Sequence, residues 1–133
     1  MRLNVFVLLA MGLGVFLAAA PMLAHHSFMV DFDMTKSVTM KGVVTKVVWA
    51  NPHISFYVDV TDEGGKVTNW GVDAAGPPAL AGRGWTRTSL KPGDVITVEG
   101  FPAKNGKPLA AASMVTLADG RKVFAGSDGA YPR

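Results

Sequence analysis

The feature that most restricts this chain is a strict alternation: Ile54, Phe56, Val58 and Val60 are separated by Ser55, Tyr57 and Asp59. Side chains two apart on a strand share a face, so one side of this segment is apolar throughout and the other is polar. That pattern belongs to a strand lying between a core and solvent, and a helix would scatter it. The turn Asp62-Glu63-Gly64-Gly65 follows, and residues 67–73 return as a hairpin partner through Trp70 and Val72. Upstream, residues 38–49 have strand-like density of Val, Thr and Met, with Gly42 where a long strand can bend or bulge. Downstream, Lys91-Pro92-Gly93-Asp94 turns into a strand over 95–100, and Lys104-Asn105-Gly106-Lys107 leads into one over 111–117. Asp119-Gly120 opens a short last strand over 122–125.

One break interrupts this rhythm. Gly76-Pro77-Pro78 ends the sheet pattern, and residues 78–83 suit one or two helical turns, with proline at the start and Gly82 and Gly84 at the end. Short strands, a long bent first one, and a small helix between the third and fourth predict an all-β fold: a five-stranded OB-fold-like barrel, the oligonucleotide/oligosaccharide-binding architecture. A small open sandwich is the structural alternative. No internal repeat argues for a solenoid.

The N-terminus reads differently. From Leu3 to Ala24 there is no charge, Arg2 precedes the stretch, and small residues close it, which is the layout of a cleavable signal peptide. Ala18-Ala19-Ala20 satisfies the small-x-small rule but leaves Pro21 at the new N-terminus. Met22-Leu23-Ala24 leaves the junction Ala24-His25, and this cut is preferred. The alternative is an uncleaved anchor, since the stretch is long enough for a bilayer of about 30 Å, although Asn4, Gly12, Gly14 and Pro21 weaken it. The expected organisation is a signal at 1–24, an extended arm at 25–36, the barrel at 37–125 and a flexible tail at 126–133.

Export would place the protein in the periplasm or outside the cell, with membrane contact only through an uncleaved signal. Removing 24 of the 133 residues leaves 109, enough for one modest core. It also removes Arg2, so 12 basic residues face 10 acidic ones with no basic run, and nucleic acid is set aside as a partner. There is no cysteine, so disulfides and thiolate metal sites are excluded.

The chain has three histidines, and two of them, His25 and His26, follow the preferred cut. A free amine beside two imidazoles is a chelate for a divalent transition metal, and such nitrogen sites favour copper over zinc. His53, in the turn Asn51-Pro52-His53, is the third candidate ligand. His25 can bind through amine and ring with His53 opposite, the arrangement called a histidine brace. Alternatively His26 chelates through the amine, the intervening amide nitrogen and its ring. The two modes compete for one amine, and both compete with a bare, solvated tail. Asp31 and Asp33 are possible oxygen ligands, and Met29 lies near the histidines, whereas Met40 and Met114 suit a core.

Trp85 follows Gly82-Arg83-Gly84 and is flanked by Arg83 and Arg87, a possible contact for a ligand or partner, although large aromatics also close the ends of small barrels. Enzyme signatures are absent: no cysteine nucleophile, no Gly-x-Ser-x-Gly elbow, no phosphate-cradling loop after a strand. The expectation is a binding module rather than an enzyme, with a copper-dependent redox activity left open.

Taken together, His25-His26-Ser27-Phe28, Asp31-Phe32-Asp33, Val38-Thr39-Met40-Lys41-Gly42, Trp49-Ala50-Asn51-Pro52-His53, Gly84-Trp85-Thr86-Arg87 and Ser89-Leu90-Lys91-Pro92-Gly93-Asp94 span nearly all of the mature chain. In this combination the sequence resembles a family of small exported bacterial proteins classed as a domain of unknown function. The resemblance implies export and a small barrel-like β-domain, and no activity. The expected protein is thus an exported binding module holding one copper ion, or else a metal-free accessory domain that binds a partner protein or envelope component through its sheet face and the Trp85 loop.

Overall fold

The computed structural model describes residues 32–127. Its elements are β1 (Val38–Val48), β2 (Ser55–Thr61), β3 (Val67–Asp73), a short helix α1 (Pro77–Gly82), β4 (Val95–Pro102), β5 (Leu109–Thr116) and β6 (Lys122–Phe124). Strand neighbours run β3-β2-β1-β4-β5-β6, and a parallel pairing of β3 with β5 closes the first five into a barrel. The helix lies between the third and fourth strands, as the sequence predicts. β6 adds to β5 outside the closed ring.

β1 serves two partners because it bends. Val38 to Val43 pair with β4, Val43 to Val48 pair with β2, and the register shifts between Val44 and Lys46. Gly42 stands where the two halves meet. A Cβ there would collide with the Asp59 carbonyl oxygen and lie 2.7 Å from Val58 Cγ1, so the crossing needs a residue without a side chain. Gly100 does the same in β4, where a Cβ would collide with the Ala111 carbonyl oxygen beside a second register shift.

The interior is the apolar face of the alternation. Ile54, Phe56 and Val58 are fully buried, joined by Val44, Val72, Ile96, Val98 and Val115, with Val60 partly buried against them. Leu80, the only buried residue of α1, joins the same core. The helix is short because Pro77 lies in its first turn and Gly82 ends it.

Both ends of the described chain are fastened to the barrel. Phe32 is buried and forms a bridge with Ala103, and Asp33 N–H donates to the Pro102 carbonyl at 2.8 Å. Residues 32–36 of the expected arm therefore form a turn held against the end of β4. The Asp33 carboxylate accepts from Thr35 Oγ1 at 2.6 Å and Thr35 N at 3.1 Å, and these bonds, then Lys36, hold its pKa below the usual value. This small stabilisation is present above the ordinary carboxylate range and is lost as pH falls through the lowered value. An NMR titration should find the Asp33 carboxylate still ionised below the ordinary carboxylate range. At the other end Gly126, expected in a loose tail, is buried.

Among the described residues no helix is long and apolar enough to cross a membrane.

Candidate functional site

His53 lies in the connection between β1 and β2, after a cis Asn51-Pro52 peptide. Two backbone bonds lock the exit of this loop to the segment after β3: Ile54 N–H to Ala75 O at 3.1 Å, and Ala74 N–H to Ile54 O at 2.8 Å. Gly76 permits the close fit, since a Cβ there would lie 2.5 Å from the Pro52 carbonyl oxygen. The half-buried His53 ring is oriented by the same segment, with Nδ1 3.2 Å from the Ala74 carbonyl oxygen. A carbonyl only accepts, so Nδ1 is the nitrogen that donates in this bond. Metal-binding imidazoles are commonly oriented in this way by a backbone acceptor.

His25 and His26 lie outside the described residues, as do Asp31 and Met29. Among the described residues no three metal-ligating side chains come together, so the barrel by itself offers His53 and no completed ligand set. Asp33 is committed to its turn and to Lys36 at 3.3 Å. Met40 is buried and Met114 half-buried.

The Trp85 expectation needs correction. Its indole is only 3% exposed, and Nε1–H donates to the Phe124 carbonyl at 3.1 Å. Arg83 works beside it, with Nη1 donating to the Gly126 carbonyl at 2.7 Å and the guanidinium 4.4 Å from the Phe124 ring centroid. Both side chains clamp the C-terminal strand onto the barrel instead of offering a platform for a ligand. Arg87 is exposed, 6.0 Å from the ring centroid of the partly buried Trp49. Replacing Trp85 with Phe should keep most of the packing and remove the bond to the Phe124 carbonyl, costing about 0.5–1.5 kcal/mol in a denaturant melt.

A second feature was not singled out from the sequence. The outward residues of the β2 alternation meet β3 in register as three pairs: Asp59 with Asn69, Tyr57 with Gly71, and Ser55 with Asp73. Asn69 Nδ2 donates to Asp59 Oδ1 at 2.7 Å, and Ser55 Oγ donates to Asp73 Oδ1 at 2.8 Å. The Lys46 ammonium lies 5.7 Å from the Tyr57 ring centroid. The signal was the polar half of the same alternation, whose partners on β3 cannot be read without the register.

Comparison with known proteins gives a family and several distant structural likenesses. No curated protein matches the chain. A crystal structure of the mitochondrial single-stranded DNA-binding protein Rim1 of S. cerevisiae is similar at 10% identity and a TM-score of 0.48, over 62% of this chain and 92% of that one. Its selenomethionine-labelled counterpart is similar at 9% identity and a TM-score of 0.46, over 69% and 97%. The model of a family of unknown function, DUF6152, matches residues 14–112, which include β1 to β4 and the His53 loop. The chain belongs to that family.

Proposed function

We propose that the protein is an exported binding module that holds one copper ion between His53 and the mature N-terminal histidines, His25 and His26. The observation that supports this most directly is the Nδ1–H bond from His53 to Ala74, which orients the ring on a locked loop. A ligand that is already oriented loses less freedom when metal binds.

Chain length is consistent with the remaining ligands. Phe32 neighbours Ala103, Ala103 bonds to Leu109, and Leu109 pairs with Gly71, which lies three residues before the Ala74 that holds His53. Three strand spacings and three residues along β3 separate Phe32 from Ala74 by about 17 Å. The seven peptide steps from Phe32 back to His25 reach about 24 Å when extended. Zinc would accept the same nitrogens, but copper binds more tightly at such sites.

Intact-mass measurement of the exported protein, with and without added Cu(II), tests the reading. The expected mass begins at His25 and gains one copper. The His53→Ala variant should stay folded and bind copper more weakly. A chain beginning at Pro21 would remove the amine chelate and leave only side-chain ligation, and a His53→Ala variant with unchanged affinity would remove the barrel from the site.

A further inference from the structure

We propose that Asn105, at the tip of the hairpin joining β4 to β5, is a site of spontaneous covalent modification, where the backbone nitrogen of Gly106 attacks the side-chain amide and converts the residue to aspartate and isoaspartate. This site does not rest on the copper reading. The Gly106 nitrogen gives up its proton and bonds to Asn105 Cγ, and the bond from Cγ to Nδ2 breaks as ammonia leaves with that proton. The product is a five-membered imide. Water then opens it on either side: cleavage at Cγ gives aspartate, and cleavage at the former backbone carbonyl gives isoaspartate, with the main chain rerouted through Cγ. Water is the only co-reactant, and nothing is oxidised or reduced.

The turn suits that step at every atom involved. Residues 104–107 are exposed, so water and hydroxide reach them. Gly106 has φ +74°, a region that favours glycine, and no side chain crowds its attacking nitrogen. Only a long bond holds that nitrogen, from Gly106 N–H to the Ala103 carbonyl at 3.3 Å. The Lys107 N–H donates to Asn105 Oδ1 at 3.0 Å, where it stabilises the charge that gathers on this oxygen during attack. Lys104 and Lys107 flank the pair and form no ion pair among the described residues. Their charge favours the deprotonated amide nitrogen.

The fold contains its own controls. Residues 117–121 form a turn of the same design: Gly120 has φ +87°, its N–H donates to the Leu117 carbonyl, and Arg121 N–H donates to Asp119 Oδ1 at 3.0 Å. Asp119 stands in the place of Asn105, and bonds from the Arg121 backbone and then its guanidinium hold the Asp119 pKa below the usual value. An ionised carboxylate is a poor electrophile, so this turn lasts. The other two described asparagines are protected as well. Asn51 precedes Pro52, whose nitrogen has no proton to lose, and Asn69 lies in β3 with Nδ2 donating to Asp59 at 2.7 Å. The change at Asn105 touches the fold. Ala103 N–H bonds to the Leu109 carbonyl beside the turn, Ala103 bridges Phe32, and Leu109 pairs with Gly71 to close the barrel. Isoaspartate lengthens the main chain at this tip, and both products set a carboxylate between the two lysines.

Incubation of the purified protein at neutral and mildly alkaline pH, followed over time by tryptic peptide mapping, tests the site. Trypsin does not cut before Pro108, so residues 105–121 form one peptide that reports both turns. The mass gain of amide to acid is expected at Asn105, as separable normal and isoaspartyl products, and faster at the higher pH. Asn51, Asn69 and Asp119 should stay unchanged. The same protein unfolded in guanidinium chloride gives the intrinsic rate, and folding should slow Asn105 about tenfold or less, because a loop tip opens at little free-energy cost. Gly106→Ala should slow the reaction of the folded protein about tenfold or more, by crowding the nitrogen and straining the turn. Asn105→Gln should abolish the mass gain of this peptide, because its longer side chain does not close the five-membered ring. A thermal melt confirms that both variants stay folded, since the tip lies outside the core. Greater protection of Asn105 by the fold, conversion no faster than at Asn69, or a mass gain that persists in Asn105→Gln would each overturn the proposal.

Discussion

Replacing Phe56 with alanine should lower folding stability by about 3–5 kcal/mol, the range for removing a buried aromatic side chain. Phe56 has no exposed surface, lies in register with Val47 on one side and Val72 on the other, and is among the largest side chains of the core. The cavity cannot refill easily. β1 and β3 are each pinned by a second neighbour, β4 and β5 respectively, so the barrel cannot contract around the gap. Domains of this size are stable by about 5–15 kcal/mol in total, so the variant would be marginal. Urea melts should show a lower midpoint with an unchanged slope, since the surface exposed on unfolding is nearly the same. A loss below about 1 kcal/mol would mean that Phe56 does not organise the core. Tyr57→Ala, one residue along on the outer face, is the control and should change the midpoint little.

The contrast between those neighbours explains what was legible in the sequence. Period-two alternation reports which face of a strand meets a core, and β2 carried that information in full. β5 did not. Ala110, Ala111 and Ala112 are all completely buried, because β5 packs against neighbours on both sides where Gly100 lets the chains approach, and nothing alternates. The expected start at Ala111 therefore missed Leu109 and Ala110, whose pairing with β3 is parallel and distant in sequence. β4 was expected to stop at Gly100. Here the glycine accommodates a register shift, and the strand runs on to Pro102.

Side-chain roles divided in the same way. A loop rich in glycine predicts an exposed Trp85, whereas the ring packs into the core and its Nε1–H is satisfied by a carbonyl on β6, 39 residues further on. For His53 the sequence supplies the residue and its turn, while the acceptor that orients the ring is 21 residues away. Local pattern thus gives faces, turns and candidate ligands. Tertiary pairing decides which candidates are spent on structure.

The proposed copper site depends on chemistry that cleavage creates, so extending the mature chain should be more damaging than removing a single ring. A Gly-Ser-Gly extension before His25 keeps all three histidines but moves the amine away from them. Cu(II) affinity should then fall on the order of a hundredfold, the loss expected when a tethered second donor is released. The length of the extension matters. A single added residue would place His26 third in the chain, where the amine, two amide nitrogens and the ring form a new square-planar set suited to Cu(II). That variant would bind tightly for the wrong reason. The amine and rings must be deprotonated to ligate, so affinity in the unextended protein should fall as pH is lowered. His25→Ala separates the two chelation modes, because the amine, amide and His26 ring survive it. Retained affinity in that variant assigns the metal to His26, and a large loss assigns it to the His25 amine and ring with His53 opposite. Equal affinity in the mature and Gly-Ser-Gly proteins would show that the amine takes no part, and the copper reading would fall with it.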